Sequence, residues 1–289
     1  MSVVNLEKLF NPDSVAVIGA SHKKGKVGHG VLVNLIRYGY KGKIYAINPK
    51  PEKIKGLKPY PKVTDVKGKI DLAVFAIPAP LVPKSLLECG KAGIRAAIII
   101  SAGFKECGPE GAKLEREVAE ISKRFNIRVL GPNCLGLINT ASSLNASFAD
   151  EMPSEGDIAF FSQSGALCTA ILDWAVKERI GFSKFVSLGN KVDISEATLL
   201  ESLGSDPDTK VILGYIEDVK DGREFMQVAR KVTAKKPVII CKAGGTQAGA
   251  RAASSHTGSL AGSEAAFNAA FVQTGIVRAH SVEDLFNYG

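Results

Sequence analysis

The chain is poor in features that would act or anchor on their own. No stretch of its 289 residues approaches the roughly 20 consecutive apolar residues of a membrane-spanning helix. The opening Met-Ser-Val-Val-Asn-Leu-Glu-Lys lacks the pattern of a secretion leader, so a cytoplasmic protein with no membrane partner is expected. The five cysteines, at 89, 107, 134, 168 and 241, form no Cys-x-x-Cys pair. That spacing speaks against a disulfide framework or a zinc site, and reduced thiols with no metal centre are expected. There is no Gly-x-x-x-x-Gly-Lys-Ser/Thr loop, which removes the commonest nucleotide-triphosphate cradle. Aromatic residues are sparse and do not interleave with the basic ones. A net charge of +8 therefore does not amount to a nucleic-acid footprint, and no nucleic-acid partner is expected.

What is present is alternation. Short apolar runs trade places with longer amphipathic ones, the mark of parallel sheets with crossover helices. In the first half the strands are Ser14–Ile18, Lys43–Ile47, Leu72–Ala76, Ala96–Ile100 and Arg128–Leu130, with helices at Gly28–Tyr38, Pro80–Ala92 and Glu110–Phe125. Gly131-Pro132 breaks the pattern, and 139–156 reads as a long polar connection. The second half places strands at Ile158–Phe161, Lys184–Ser187, Val211–Ile216, Val238–Lys242 and Ile276–Arg278. Its helices fall at Ala166–Glu178, Glu196–Leu203, Arg223–Ala234, Ser263–Thr274 and Val282–Asn287. The expected fold class is α/β: a doubly wound, Rossmann-like domain over residues 1–130, then a flavodoxin-like doubly wound domain over 131–289.

In such sheets ligands bind where strands end. The first strand ends in Gly19-Ala20-Ser21, and Lys26-Val27-Gly28 opens the next helix. This is near the dinucleotide pattern Gly-x-Gly-x-x-Gly without matching it. The second strand ends in Asn48-Pro49-Lys50, a cation where nicotinamide dinucleotide binders place a carboxylate for the ribose. A lysine suits a phosphate near the ribose, as in NADP or coenzyme A. The next strand-end turns are Ile77-Pro78 and Ser101-Ala102-Gly103, which suit the long, partly apolar arm of coenzyme A. The lone His22 and His29 are assigned to the loop surface and the helix start. Cys134, in Gly131-Pro132-Asn133-Cys134, is read as a small structural residue rather than a nucleophile, because no base is identifiable beside it.

Two loops of the second half carry small and hydroxyl residues. Ser162-Gln163-Ser164-Gly165 precedes a helix, where backbone N–H groups and the positive helix end suit an anion. His256 lies in Ser254-Ser255-His256-Thr257-Gly258-Ser259, where an imidazole among glycines and hydroxyls is poorly placed as core filler and well placed to carry phosphate. Such a histidine needs an acceptor for its other ring nitrogen. Glu217, at the end of the strand Leu213–Ile216, is the candidate, with Asp218 beside it.

Taken in order, Val17-Ile18-Gly19-Ala20-Ser21, Asn48-Pro49-Lys50, Gly131-Pro132-Asn133-Cys134-Leu135-Gly136, Ser162-Gln163-Ser164-Gly165 and the His256 loop resemble the nucleoside-diphosphate-forming acyl-CoA synthetases. The likeness is to the α subunit of ADP-forming acetyl-CoA synthetase and, more distantly, of succinyl-CoA synthetase. It implies a CoA-binding first domain, with Gly19, Ala20, Ser21, Lys26, Gly28, Asn48, Lys50, Ile77, Pro78, Ser101, Ala102, Gly103 and Asn133 on the cofactor. It implies phosphorylation of His256, a phosphate site at Ser162, Gln163, Ser164 and Gly165, and Glu217 as the residue orienting the imidazole. The implied partners are acyl-CoA or CoA, phosphate, and an ATP-grasp β subunit holding the nucleotide with Mg2+, in a hetero-oligomer. The implied reaction joins acyl-CoA, phosphate and ADP to give acid, CoA and ATP. The competing readings are a non-catalytic CoA-binding regulatory module like that of some protein acetyltransferases, an NADP-dependent oxidoreductase and a nucleic-acid binder. Acyl preference, and the choice between ADP and GDP, are open at this point, as is whether a third domain belongs to the chain.

Overall fold

A computed structural model describes residues 4–50, 52–244 and 264–289. The chain forms two compact units. The first comprises Met1–Met152 with Leu188–Ile194, and the second Pro153–Ser187 with Ser195–Gly289. The expected division at 130/131 thus lies later, after Met152, and a short piece of the second half returns to the first unit.

In the first unit α1 (Val4–Phe10) leads into β1 (Ser14–Ile18), α2 (Val27–Arg37), β2 (Lys43–Ile47), β3 (Leu72–Phe75), α3 (Val82–Lys91), β4 (Ala96–Ile99), α4 (Pro109–Phe125) and β5 (Arg128–Leu130). The five strands run parallel in the order β2-β1-β3-β4-β5. β1, β3 and β4 are buried along their whole length, as continuous apolar runs covered on both faces must be. One side of the sheet carries the core of Ala16, Phe75, Leu86, Ile99, Val118 and Val129. Phe125 ends α4, and Asn126 follows in the left-handed conformation (φ 52°) as its C-terminal cap.

The connection expected at 139–156 is in part a hairpin. β6 (Gly136–Asn139) pairs antiparallel with β7 (Leu144–Ser147), and it belongs to the first unit for a physical reason. Asn34 of α2 donates from Nδ2 to Ser147 O at 2.9 Å and to Ala149 O at 2.6 Å. Tyr38 donates to Asp150 O at 2.8 Å, and Asn139 donates to Phe10 O at 3.0 Å. The returning segment is fastened in the same way. Arg128, 3% exposed, donates from Nε to Asp193 Oδ2 at 2.8 Å, and Val129 N–H donates to the same oxygen at 2.9 Å.

The second unit contains β8 (Ser154–Ser162), α5 (Gly165–Lys177), β9 (Gly181–Ser187), α6 (Glu196–Ser205), β10 (Val211–Ile216), α7 (Gly222–Thr233), β11 (Val238–Lys242), α8 (Glu264–Thr274), β12 (Val277–Ala279) and α9 (Val282–Asn287). Its parallel strands follow the order β12-β11-β10-β8-β9. Read in chain order, both parallel sheets place their first strand between the second and the third. Each therefore has a topological switch point beside that first strand, where ligands are expected. Phe160, Phe182 and Phe185 pack against one another in the second core, with Phe160 and Phe185 ring centroids 4.9 Å apart. No helix of the described residues is long and apolar enough to cross a membrane.

Candidate functional sites at the two switch points

In the first unit the switch point lies between the ends of β1 and β3. Gly19, in a positive-φ conformation (φ 90°), turns the chain out of β1 while its N–H donates to Ile47 O at 3.0 Å. A Cβ on Gly28 would overlap the carbonyl of Gly19, and one on Gly19 would overlap the carbonyl of Ala76. Three backbone segments thus approach more closely than any side chain allows. Lys26 precedes α2 in an extended conformation, without a side-chain cap of its own.

Asn48 Nδ2 donates to Ala20 O at 2.7 Å, and Lys50 N–H donates to Asn48 Oδ1 at 2.8 Å. These bonds fasten the end of β2 to the loop after β1 and fix where Lys50 begins. Beside them is a cavity of about 190 Å³ lined by Ser21, His22, Lys23, Asn48, Lys50, Glu52 and Ile54. Ser21, Asn48 and Lys50 were expected there. His22, Lys23, Glu52 and Ile54 were not, although the lysine-rich stretch from 23 to 69 signalled an anion-friendly surface. His29 sits at the helix start, its Nδ1 2.9 Å from Ser21 O.

The next two turns lie on the same edge of the sheet. Ser101 donates to Ile77 O at 2.5 Å, joining the end of β4 to that of β3. Gly103 (φ 108°) presents its N–H to Glu106 Oε1 at 2.6 Å. Burial opposes ionisation of Glu106, yet donors from Asn190, Gly103 and Phe104 outweigh it and hold the carboxyl below its usual range. Asn133 N–H donates to Ser101 O at 3.0 Å, and its Nδ2 reaches Asn190 Oδ1 at 3.4 Å. Asn133, Ser101 and Ile77 are therefore one connected set. Asn190 and Glu106, which complete it, escaped the sequence reading because Asn190 lies far along the chain and nothing local marks it. Cys134 is buried, and its thiol donates to Ile99 O at 3.4 Å, as a structural residue would.

In the second unit the switch point lies between β8 and β10. Gln163 spans it. Its Nε2 donates to Glu196 Oε1 at 2.9 Å and to Asp218 O at 2.8 Å. Its Oε1 accepts from Glu217 N–H at 2.8 Å and Asp218 N–H at 3.1 Å. The four contacts make the Gln163 side chain a clasp between strand ends, and its backbone N–H is held as well, donating to Tyr215 O at 3.1 Å.

Ser162 Oγ donates to Ser164 O and accepts from Ser164 N–H, each at 3.0 Å. Ser164 caps α5, accepting from Leu167 N–H at 3.3 Å. Among the described residues nothing lies within 4 Å of where a Cβ on Gly165 would stand, so the first turn of α5 is open at that point. Beneath it the buried Cys168 thiol is pushed up to about 12 by burial, against the pull of Ser162 and Ser187, which makes it an inert packing group.

Two charged residues missed by the sequence reading stand nearby. Glu196 is 1% exposed and holds Gln163. Lys242 closes β11 beside Ile216 and is buried, a lysine read only as the end of a strand. The signal for Lys242 was available, since it is a cation ending an apolar run just before a small-residue loop. His256, the residue on which the sequence reading turned, lies outside the described residues.

Comparison with known proteins follows this division. Residues 13–140 match the CoA binding domain family, and residues 155–289 match the succinyl-CoA ligase like flavodoxin domain family. The chain is 52% identical over 283 residues to acetate–CoA ligase [ADP-forming] I of Archaeoglobus fulgidus, covering 98% of this chain and 41% of that one. It is 48% identical to the α subunit of acetate–CoA ligase [ADP-forming] I of Pyrococcus furiosus, covering 99% of this chain and 63% of the relative. Among solved structures, the dinucleotide forming acetyl-coenzyme A synthetase 1 of Ca. Korarchaeum cryptofilum in complex with phosphate and ADP superimposes with a TM-score of 0.94. That match has 47% identity and covers 98% of this chain and 61% of that one.

Fold and site together define a CoA-binding domain followed by a succinyl-CoA-ligase-type domain. The chain belongs to the ADP-forming acetate–CoA ligase family. It spans less than two thirds of the length of these relatives.

Proposed function

We propose that this chain supplies the CoA-binding and phosphoryl-carrying half of an ADP-forming acyl-CoA ligase. The supporting observation of most weight is that likeness to acetate–CoA ligases runs through 98% of the chain and includes both switch-point sites. The first unit would take coenzyme A. Its phosphates and adenosine fit Gly19, Ala20, Ser21, Lys26, Gly28, Asn48 and Lys50, where side-chain-free backbone and a lysine-lined cavity stand together. The pantetheine arm would run past Ile77, Pro78, Ser101, Ala102, Gly103 and Asn133, whose strand-end turns are hydrogen-bonded to one another.

In the reaction, an oxygen of orthophosphate attacks the thioester carbonyl. The C–S bond breaks, CoA leaves as its thiol after taking a proton, and an acyl phosphate remains. A ring nitrogen of His256 then attacks phosphorus and the carboxylate departs. Finally a terminal oxygen of ADP takes the phosphoryl group from His256. The loop Ser162, Gln163 and Ser164 would set the start of α5 in place, so that the open first turn at Gly165 and the positive end of the helix meet the phosphoryl oxygens. Glu217 would accept from the other imidazole nitrogen and hold the reactive tautomer. ADP with Mg2+ would bind an ATP-grasp partner subunit, giving a hetero-oligomeric enzyme working in the cytoplasm.

The deciding experiment incubates the assembled complex with radiolabelled ATP and magnesium. An acid-labile, base-stable label on this chain that vanishes in His256→Asn is expected. Label of that type persisting in the variant would falsify the assignment.

A further inference from the structure

The last residue of β11 carries a charge where a strand interior is apolar. Lys242 is only 6% exposed. Its Nζ donates to Ala243 O at 2.5 Å and stands 4.9 Å from the centroid of the Phe267 ring. A carbonyl and an aromatic face return only part of the hydration that a buried ammonium gives up. Lys242 is paired with Ile216, the residue after which β10 runs into Glu217 and Asp218.

Burial holds the lysine below its ordinary value. Glu264, Asp218 and Glu217 pull the other way, and Arg278 adds to the burial effect. The carboxylates around the ammonium therefore do not fully compensate it. Arg278 is itself engaged by Glu264 and Asn268. A phosphate approaching the same strand ends meets the converse problem. The start of α5 attracts it, while the carboxylates at the end of β10 repel it.

We propose that Lys242 is a positioning residue of the phosphate site, its fixed ammonium offsetting the repulsion of Glu217 and Asp218 so that phosphate can settle at the start of α5. The proposal rests on reading these strand ends as the phosphate site. A lysine suits the task, being a compact point charge with three donors, here held by Ala243 and Phe267. The two deficits cancel when the anion binds, and neither is met by Gln163, whose four contacts are all internal.

The test uses the chain assembled with its ATP-grasp partner and follows acyl-CoA-dependent ATP synthesis while phosphate is varied. Lys242→Met should raise the KM for phosphate about tenfold or more, with the KM for acyl-CoA within about twofold of wild type. Lys242→Arg, which keeps the charge, should stay within about threefold of wild type for phosphate. If Lys242→Met loses its cooperative melting transition, Lys242→Gln carries the same comparison. Unchanged phosphate dependence in the neutral variants overturns the proposal. So does a pattern in which methionine is tolerated and arginine is not, which would mark a packing role. A wild-type complex that makes no ATP from phosphate overturns the parent reading together with this one.

Discussion

The two switch points stand at equivalent positions in sheets of the same strand order, yet they are built by opposite means. Around β1 the chain subtracts side chains. Gly19 and Gly28 bring backbone against backbone, and Lys23 and Lys50 line the cavity beside the loop after β1. Around β8 the chain adds polar side chains, and Gln163, Glu196 and Ser164 fix the loop through hydrogen bonds. The first arrangement suits a long ligand lying along a surface. The second suits a small anion that must be met at one point by rigid donors.

That contrast predicts how each site fails. The largest effect is expected for Gly28→Ala, whose methyl would meet the Gly19 carbonyl, a backbone atom that cannot swing aside. A loss of about 3 kcal/mol is expected, with CoA binding by calorimetry falling along with thermal stability. Near-wild-type melting would mean that the Gly19 turn yields more easily than its packing suggests.

Gln163→Leu should come next. It removes the acceptor of Glu217 N–H and Asp218 N–H and a donor to the Glu196 carboxylate, for about 2–3 kcal/mol in urea unfolding. It should also slow His256 phosphorylation while CoA affinity holds. If CoA affinity falls equally, the two sites are less separate than the comparison claims. Ser164→Ala, which removes one helix cap, should cost about 1 kcal/mol and weaken phosphate binding slightly. A glycine at the same position, costing only a few tenths of a kcal/mol, would show that the cap rather than the hydroxyl chemistry matters.

The parallel strands were legible because their burial is carried by apolar runs such as Ser14–Ile18 and Val211–Ile216. The hairpin was not, and Asn145 and Ser147 show why. Both are buried, but they satisfy themselves locally, Ser147 donating to Asn145 Oδ1 at 2.6 Å and Asn145 donating to Glu151 O at 3.1 Å. Hydropathy reads such a strand as a loop. The short helix Val4–Phe10 was missed for want of length. In the sites, glycines and strand-end polar residues announced themselves through local pattern. Asn190 and Glu196 depend on partners far away in sequence, which spacing alone cannot reveal.

The return of Leu188–Ile194 to the first unit has a bearing on biosynthesis. Arg128 leaves the ribosome early, and the carboxylate that neutralises its guanidinium, on Asp193, emerges only after β8 and β9 have been made. Until then Arg128 lacks the ion pair whose loss in the finished protein would cost about 3–5 kcal/mol, and β5 lacks the segment that bonds along it. The nascent polypeptide therefore cannot ripen like beads on a string, each finished before the next begins. Its earlier half waits for a stitch from the later one.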